Sequence, residues 1–307
     1  MILFRRALAP LLAALIATPA IAAPALWKFG DADTTIYLFG TIHALPPGYQ
    51  WQDARIRKAM AAADTLVVET QIDKDPQAIA RLFPPPDPNL PPIVERLPEK
   101  LRPRFIQQVN DARISMASLD RMPTWQAAFV MMGTTIKKLG IQREAGVEAK
   151  ITPAFEPQAI SAAAPGARIR KVEALETASA QLELFSTLPE QDQRELLAAM
   201  VDTQSGARTD YDRLLSSWAN GNQIEIARAF EKDEDLTPHL REVLLRRRNA
   251  NWTEWLKKRL DVPGTVFVAV GAGHLAGPLS VQTMLAAQGI KVQRIYNSRV
   301  RARSSRH

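Results

Sequence analysis

The chain contains no cysteine, so neither a disulfide nor a thiolate metal ligand is available to it. At 307 residues it is long enough to bury a sizeable core without such staples. No H-E-x-x-H helix is present, which excludes the common zinc-protease motif, and no G-x-S-x-G elbow marks a serine nucleophile. After residue 22 no apolar run is long enough to cross a bilayer. Lysine and arginine outnumber the acidic residues, 39 to 32, for a formal net charge of +7. They form no basic stripe interleaved with aromatics, so nucleic acid is not the expected partner. Histidine is scarce as well: His43, His239, His274 and His307 are all there are.

What is present begins with a leader. Arg5 and Arg6 precede the apolar stretch "ALAPLLAALIATPAIA", which ends on a small-x-small pattern at Ala20, Ile21 and Ala22. This reads as a secretory signal peptide over residues 1–22, and Pro10 and Pro19 argue against a membrane span. The expected mature protein starts at Ala23, is periplasmic or secreted, and carries no transmembrane segment. Losing two arginines leaves its net charge at +5. Residues 299–307 form a basic tail of the solvated, flexible kind, and residues 23–298 are expected to form one domain. The sequence does not indicate an oligomeric state.

Hydrophobic patterning gives the fold class. "TTIYLFG" (Thr34 to Gly40) and "TLVVE" (Thr65 to Glu69) are short β-branched runs flanking the helical stretch "DARIRKAMAAAD". Strand, helix, strand is the unit of a parallel sheet with a right-handed crossover. "FPPPDPNLPP" is a stiff polyproline loop. Residues from about 93 to 260 are mostly helical, with one further strand suggested by "ARIRKVEAL", and Met131 and Met132 read as helix core. "TVFVAV", a helix over about 276–288, and "IKVQRIY" form a second strand–helix–strand unit. The expectation is an α/β protein with a mixed, largely parallel sheet formed by both chain ends and a large helical insertion between them. No internal repeat of 20–50 residues is evident.

Both ends carry the same local pattern, an apolar strand running into G-x-x-H: "IYLFGTIH" with Gly40 and His43, and "VFVAVGAGH" with Gly271 and His274. A third strand ends on Glu69. Ligands of open α/β sheets bind beyond the carboxyl ends of parallel strands, so these three residues should converge, with the imidazoles within about 8 Å of each other and Glu69 beside them. Each glycine is expected to permit the tight turn that aims its histidine back over the sheet edge. Two imidazoles and a carboxylate suit a borderline divalent ion such as Mn, Co or Zn, with a position left for a nucleophilic water. The rival dinucleotide loop fails in detail. "GAGHLAG" is one residue longer than the usual fingerprint, and no acidic residue ends the strand that follows.

"LFGTIHALPPGYQWQDARIRKAMAAADTLVVE" closely resembles the opening of the TraB/GumN family, and "VAVGAGHLAGPLSVQTMLAAQGIKVQRI" resembles its closing segment. "MPTWQAAF", "GVEAKI", "ALETASAQLELF", "SWANGN" and "RRRNANW" follow the family's order between them, so the resemblance covers nearly the whole expected mature chain. The family is similar to the Tiki proteins, described as divalent-metal-dependent proteases with two G-x-x-H motifs, and more distantly to erythromycin esterases and ChaN-type haem-binding lipoproteins. The resemblance implies functional roles for His43, Glu69 and His274, joined by Arg248 of the "RN" element. The chain departs from it at Glu148, where an aspartate is expected.

Other positions carry blander readings. Arg248 lies in a run of three arginines, a pattern that ordinarily forms a solvated helix face; turned inward, it would stabilise an oxyanion. Glu176 reads first as a cap for the helix that follows it, otherwise as a general base. Glu148 has a supporting role. The functional expectation is an exported metal-dependent hydrolase, most simply a peptidase, acting on a peptide or other carbonyl-containing substrate. His43, Glu69 and His274 would hold the ion, and Arg248 would steady the developing charge. The alternatives are a non-catalytic periplasmic binder of a metal complex or haem, and a metal-independent, histidine-assisted esterase.

Overall fold

The β-branched and aromatic runs of the sequence become strands because alternate side chains can be buried on opposite sides of one sheet. The computed structural model describes residues 23–71, 75–156, 170–202, 206–231 and 237–297, so the expected leader over 1–22 and the expected flexible tail over 299–307 lie outside the described residues. Strands β1 (Leu26–Gly30), β2 (Thr34–Thr41), β3 (Thr65–Gln71), β4 (Lys171–Thr177), β5 (Gly264–Gly271) and β6 (Gln293–Arg294) form a sheet in the order β4-β3-β5-β2-β1-β6. β5 runs parallel to both its neighbours, β2 and β3, and β4 runs parallel to β3. β1 lies antiparallel to β2 and to β6. The protein is thus α/β with a mixed, mostly parallel sheet.

Alternation divides the core into two layers. Phe39, Leu66, Val68, Phe267 and Ala269 pack on one face with Ile56 and Ala59 of the helix Ala54–Ala62, and with Trp218 and Ile226 of two later helices. Ile36, Leu38, Val67, Val266 and Val268 pack on the other, against Trp252 and Leu256 of the helix Arg248–Arg259 and Val281 and Leu285 of the helix Val281–Ala287. Each large apolar side chain buried this way contributes roughly 1.5–3 kcal/mol relative to exposure, and together they hold β5 at the centre. A separate helical cluster, built by Phe105, Val109, Ala127, Met131, Leu197 and Val201, stands apart from the sheet.

β4 is the further strand suggested by "ARIRKVEAL", and it extends the sheet beyond β3. Two features differ from the sequence reading. β1 carries no alternation long enough to signal a strand, and forms because its neighbour β2 offers an open edge. "IKVQRIY" contributes only the two-residue β6, paired with β1 rather than beside β5, so the second unit's crossover spans two intervening strands. Among the described residues no helix is long and apolar enough to cross a membrane.

One helix departs from regular winding. Between Pro238–Arg241 and Arg248–Arg259 the chain makes a π turn, Glu242–Arg247. After Val243 the next fully buried residue is Arg248, five positions on, while Arg246 and Arg247 face solvent. An ordinary α-helix would repeat after three or four residues.

Candidate functional site

Parallel registry brings three strand ends to one level. Thr41 pairs with Gly271 and Val68 with Ala269, so the segments leaving β2 and β5 flank the end of β3. His43 stands two residues beyond β2, and His274 lies in a tight 3₁₀ turn, Ala272–Leu275, directly after β5. His43 Nε2 lies 4.0 Å and His274 Nε2 3.8 Å from the same atom, Glu69 Oε1. The two G-x-x-H motifs and Glu69 therefore meet in one centre.

The glycines serve the centre differently from the expectation. Neither Gly40 nor Gly271 has a positive φ, so neither is needed for a left-handed turn. What they allow is close approach. A Cβ on Gly271 would stand 3.1 Å from Glu69 Oε1, 3.2 Å from His43 Nε2 and 3.6 Å from His274 Cδ2. The hydrogen of Gly271 is thus the floor of the site. Its amide also donates to Glu69 Oε1 at 2.6 Å.

Arg248 is the resident cation. It is buried, against the solvated-face reading, because the π turn carries it inward while Arg246 and Arg247 stay outside. Nη2 donates to Glu69 Oε2 at 2.7 Å, and Nε and Nη2 each reach Glu176 Oε2, at 3.1 and 2.9 Å. Nη1 lies 3.2 Å from His274 Nε2. Glu176 does not cap the following helix; Thr177 does, accepting from the Ala180 amide. Freed from that role, Glu176 also receives the Trp252 indole N–H at 2.9 Å.

Each histidine is oriented through its other nitrogen. His274 Nδ1 is 2.6 Å from Asn249 Oδ1, and Asn249 Nδ2 donates to the Leu279 carbonyl at 2.7 Å. A guanidinium can only donate, so His274 Nε2 accepts and Nδ1 carries the proton. His43 Nδ1 is 2.8 Å from Glu148 Oε1, which also receives the Thr41 hydroxyl. Glu148 arrives there because Gly146 packs against the His43 main chain, where a Cβ would stand 2.1 Å from the His43 carbonyl oxygen. The Val147 amide donates to the Ile42 carbonyl at 3.1 Å and fixes the same junction.

Charge follows from these partners. Burial works against ionising Glu69, but His274, Arg248 and His43, together with the Gly271 amide, hold it down to about 2. Burial dominates at His274 and lowers it to about 4 despite Glu69, so this ring is neutral at pH 7. For His43, desolvation pulls down, and the Glu148 hydrogen bond and charge more than offset it, raising the ring to about 9. Its side chain is 63% exposed, which leaves it the solvent-facing member of the set.

The donor set suits a divalent ion in kind. Two Nε2 atoms and a carboxylate oxygen face a common point, and both Nδ1 atoms are held by oxygen acceptors, as in metal-bound histidines. The spacing is wider than the roughly 3–3.5 Å between ligands sharing a zinc-like ion. Among the described residues no group of three or more His, Asp or Glu stands close enough to hold an ion as it is. Closing on one would require a contraction of about half an ångström and release of His274 Nε2 by Arg248. Asn249 and Trp252 carry no role in the sequence reading. Trp252 lies four positions after Arg248 and three after Asn249, spacings that put it beside both on the helix once Arg248 is known to point inward.

Comparison with known proteins identifies a family. The model of the TraB/PrgY/gumN family matches residues 25–294. The chain is 27% identical over 260 residues, 81% of its own length and 87% of the relative's, to YbaP of Escherichia coli (strain K12), described as an uncharacterized protein. The same figures hold for YbaP of Shigella flexneri. No solved structure matches.

Proposed function

Since the chain belongs to the TraB/PrgY/gumN family, we propose that it is an exported, metal-dependent hydrolase acting on peptide bonds or other carbonyl substrates. The observation that carries the proposal is the approach of two imidazole Nε2 atoms to one oxygen of Glu69, each ring held from behind through Nδ1. His43 Nε2, Glu69 Oε1 and His274 Nε2 would hold the ion (Mn, Co or Zn), which when bound acidifies water and polarises a carbonyl.

The chain's own residues divide the remaining work. Glu148 and Asn249 hold the two rings through Nδ1, so that taking up an ion would need no ring rotation, only loss of the proton that the raised His43 carries near neutral pH. Glu69 stays ionised under Arg248. The guanidinium has its Nε and Nη2 hydrogens committed to carboxylates, whereas Nη1 makes only the longer contacts to His274 Nε2 and the Leu244 carbonyl, at 3.2 and 3.4 Å, and is the donor that would turn toward negative charge developing on a substrate oxygen.

A second reading, metal-independent and histidine-assisted ester hydrolysis, is favoured by one observation: Arg248 already places a cation 3.2 Å from His274 Nε2. Exhaustive chelation separates the two. Hydrolysis of a quenched-fluorescent peptide library should stop and return with Mn²⁺, Co²⁺ or Zn²⁺. Activity that survives chelation would overturn the metal reading in favour of the esterase. No hydrolysis, together with a Soret band on the purified protein, would favour a haem-binding role. Export rests on the leader pattern of residues 1–22. Mass spectrometry of periplasmic material should find Ala23 at the N-terminus, and an intact Met1 or Ile2 there would refute cleavage.

A further inference from the structure

Three members of the centre touch one residue, the last of the "RRRNANW" segment, to which the sequence reading gives no role. Trp252 is 1% exposed and sits one helical turn after Arg248. Its ring lies 4.6 Å beneath the Arg248 guanidinium carbon and 4.4 Å, centroid to centroid, from the His274 imidazole. Its only polar atom, Nε1, donates to Glu176 Oε1 at 2.9 Å. That same carboxylate grips Arg248 from behind through Nε and Nη2. Indole, carboxylate and guanidinium thus form a closed triangle with one apex toward Glu69 and His274.

The physical consequence is restraint. A buried guanidinium flanked by two carboxylates has more than one favourable orientation, since either Glu69 or Glu176 could take both ends of its fork. The indole removes that freedom. Its face attracts the cation at one position, and its N–H fixes one Glu176 oxygen so that the carboxylate cannot rotate toward Glu69. Arg248 is left with Nη2 on Glu69 and Nη1 on His274. We propose that Trp252 is a positioning residue of the site, acting through Glu176 to set the direction of the Arg248 fork and, through it, the proton arrangement of His274.

The kinetic side of this inference rests on the hydrolase reading, whereas the spectroscopic side needs neither substrate nor metal. Trp252→Phe keeps an aromatic face and removes the N–H together with part of the indole ring, whereas Glu176→Gln tests the same link without changing the core volume. With four histidines in the chain, ¹⁵N-histidine spectra are readily assigned. In the variant, the unprotonated Nε2 signal of His274 should shift as its guanidinium donor drifts, with the circular dichroism unchanged. Turnover of the quenched-fluorescent peptides should fall about tenfold or more, as expected for loosening a hydrogen bond to a charged group, with KM within about twofold. Glu176→Gln should displace the same His274 signal. The double variant should be no worse than Glu176→Gln alone, because both changes cut one chain of contacts.

Unchanged His274 resonances in Trp252→Phe, or losses that simply add in the double variant, would overturn the inference and leave Trp252 as core packing. Should Trp252→Phe fail to fold, Glu176→Gln decides alone: a His274 signal that stays in place refutes the proposal. Should no peptide be hydrolysed by the wild type, the hydrolase reading fails while the His274 signal still tests the positioning role.

Discussion

Replacing Gly271 with alanine tests the centre with the smallest possible intrusion. The residue has φ −50° and ψ 138°, which alanine adopts without strain, and the substitution keeps the amide that holds Glu69. The added methyl would stand 3.1 Å from Glu69 Oε1 and 3.2 Å from His43 Nε2. Comfortable contacts of carbon begin near about 3.5 Å, so the carboxylate and the imidazole must each retreat by a few tenths of an ångström while the space between them fills. Misplacement approaching 1 Å costs about a hundredfold in rate. The expected fall in kcat/KM is therefore about ten- to a hundredfold, or about 1.4–2.7 kcal/mol of transition-state stabilisation. Stability should barely change, because alanine restricts the unfolded chain by about 0.4–1 kcal/mol in the protein's favour and this offsets the crowding. Steady-state hydrolysis of a cleavable peptide, set beside the Tm from circular dichroism, reads both quantities. Unchanged kcat/KM at an unchanged Tm would show that chemistry does not occur between these three side chains.

Two further substitutions probe charge. Arg248→Met leaves Glu69 and Glu176 buried without their cation, which should destabilise the fold by roughly 3–5 kcal/mol in urea titrations; a loss below about 1 kcal/mol would mean that the carboxylates are not dependent on it. Glu148→Gln removes the negative charge that raises His43 while leaving an oxygen to accept from Nδ1, so the ring should titrate below that of the wild type in ¹⁵N spectra, and an unmoved titration would exclude the Glu148 contact. The sign follows from the raised pKa. Folding favours the charged ring, so the stabilisation is complete below the unfolded value near 6.5 and fades as pH rises through about 9. The variant should lose stability at pH 6 and little at pH 10.

The sheet and the meeting of the two histidines were legible in the sequence because both depend on short-range signals: β-branched alternation, and a strand that stops at a chemically distinctive residue. What was not legible depends on partners far along the chain. β1 has too little alternation to announce itself and exists by pairing with β2 and β6, whereas "IKVQRIY" reads as a full strand although only two of its residues pair, with β1. Glu176 was read as a cap because it precedes a helix, but Thr177 competes better for that amide and Arg248 offers a charge. Asn249 and Trp252 look like ordinary helix residues until the inward direction of Arg248 is known. Gly40 and Gly271 were recognised as necessary for the wrong reason: local sequence suggests a turn, whereas the cause is a neighbouring strand's side chain arriving from β3, or the packing of Ala272 upon Gly40.

The π turn at Glu242–Arg247 fixes a reading frame within the helix. Leu240 and Val243 are anchored in one apolar cluster, Trp252 and Leu256 in another, and the widened turn holds the one residue that reconciles the two. Substitution of the exposed Arg246 or Arg247 leaves that frame intact. If the same residues wound as ordinary α-helix, one anchored face would swing by about 100° relative to the other. Either the Leu240 side would let go of its cluster, or Arg248 and Trp252 would rotate away from Glu69 and His274. Removal of a single residue between 244 and 247 is the change the frame absorbs, because Arg248 then falls four positions after Val243 on an ordinary helix, whereas insertion of one residue is the change it resists.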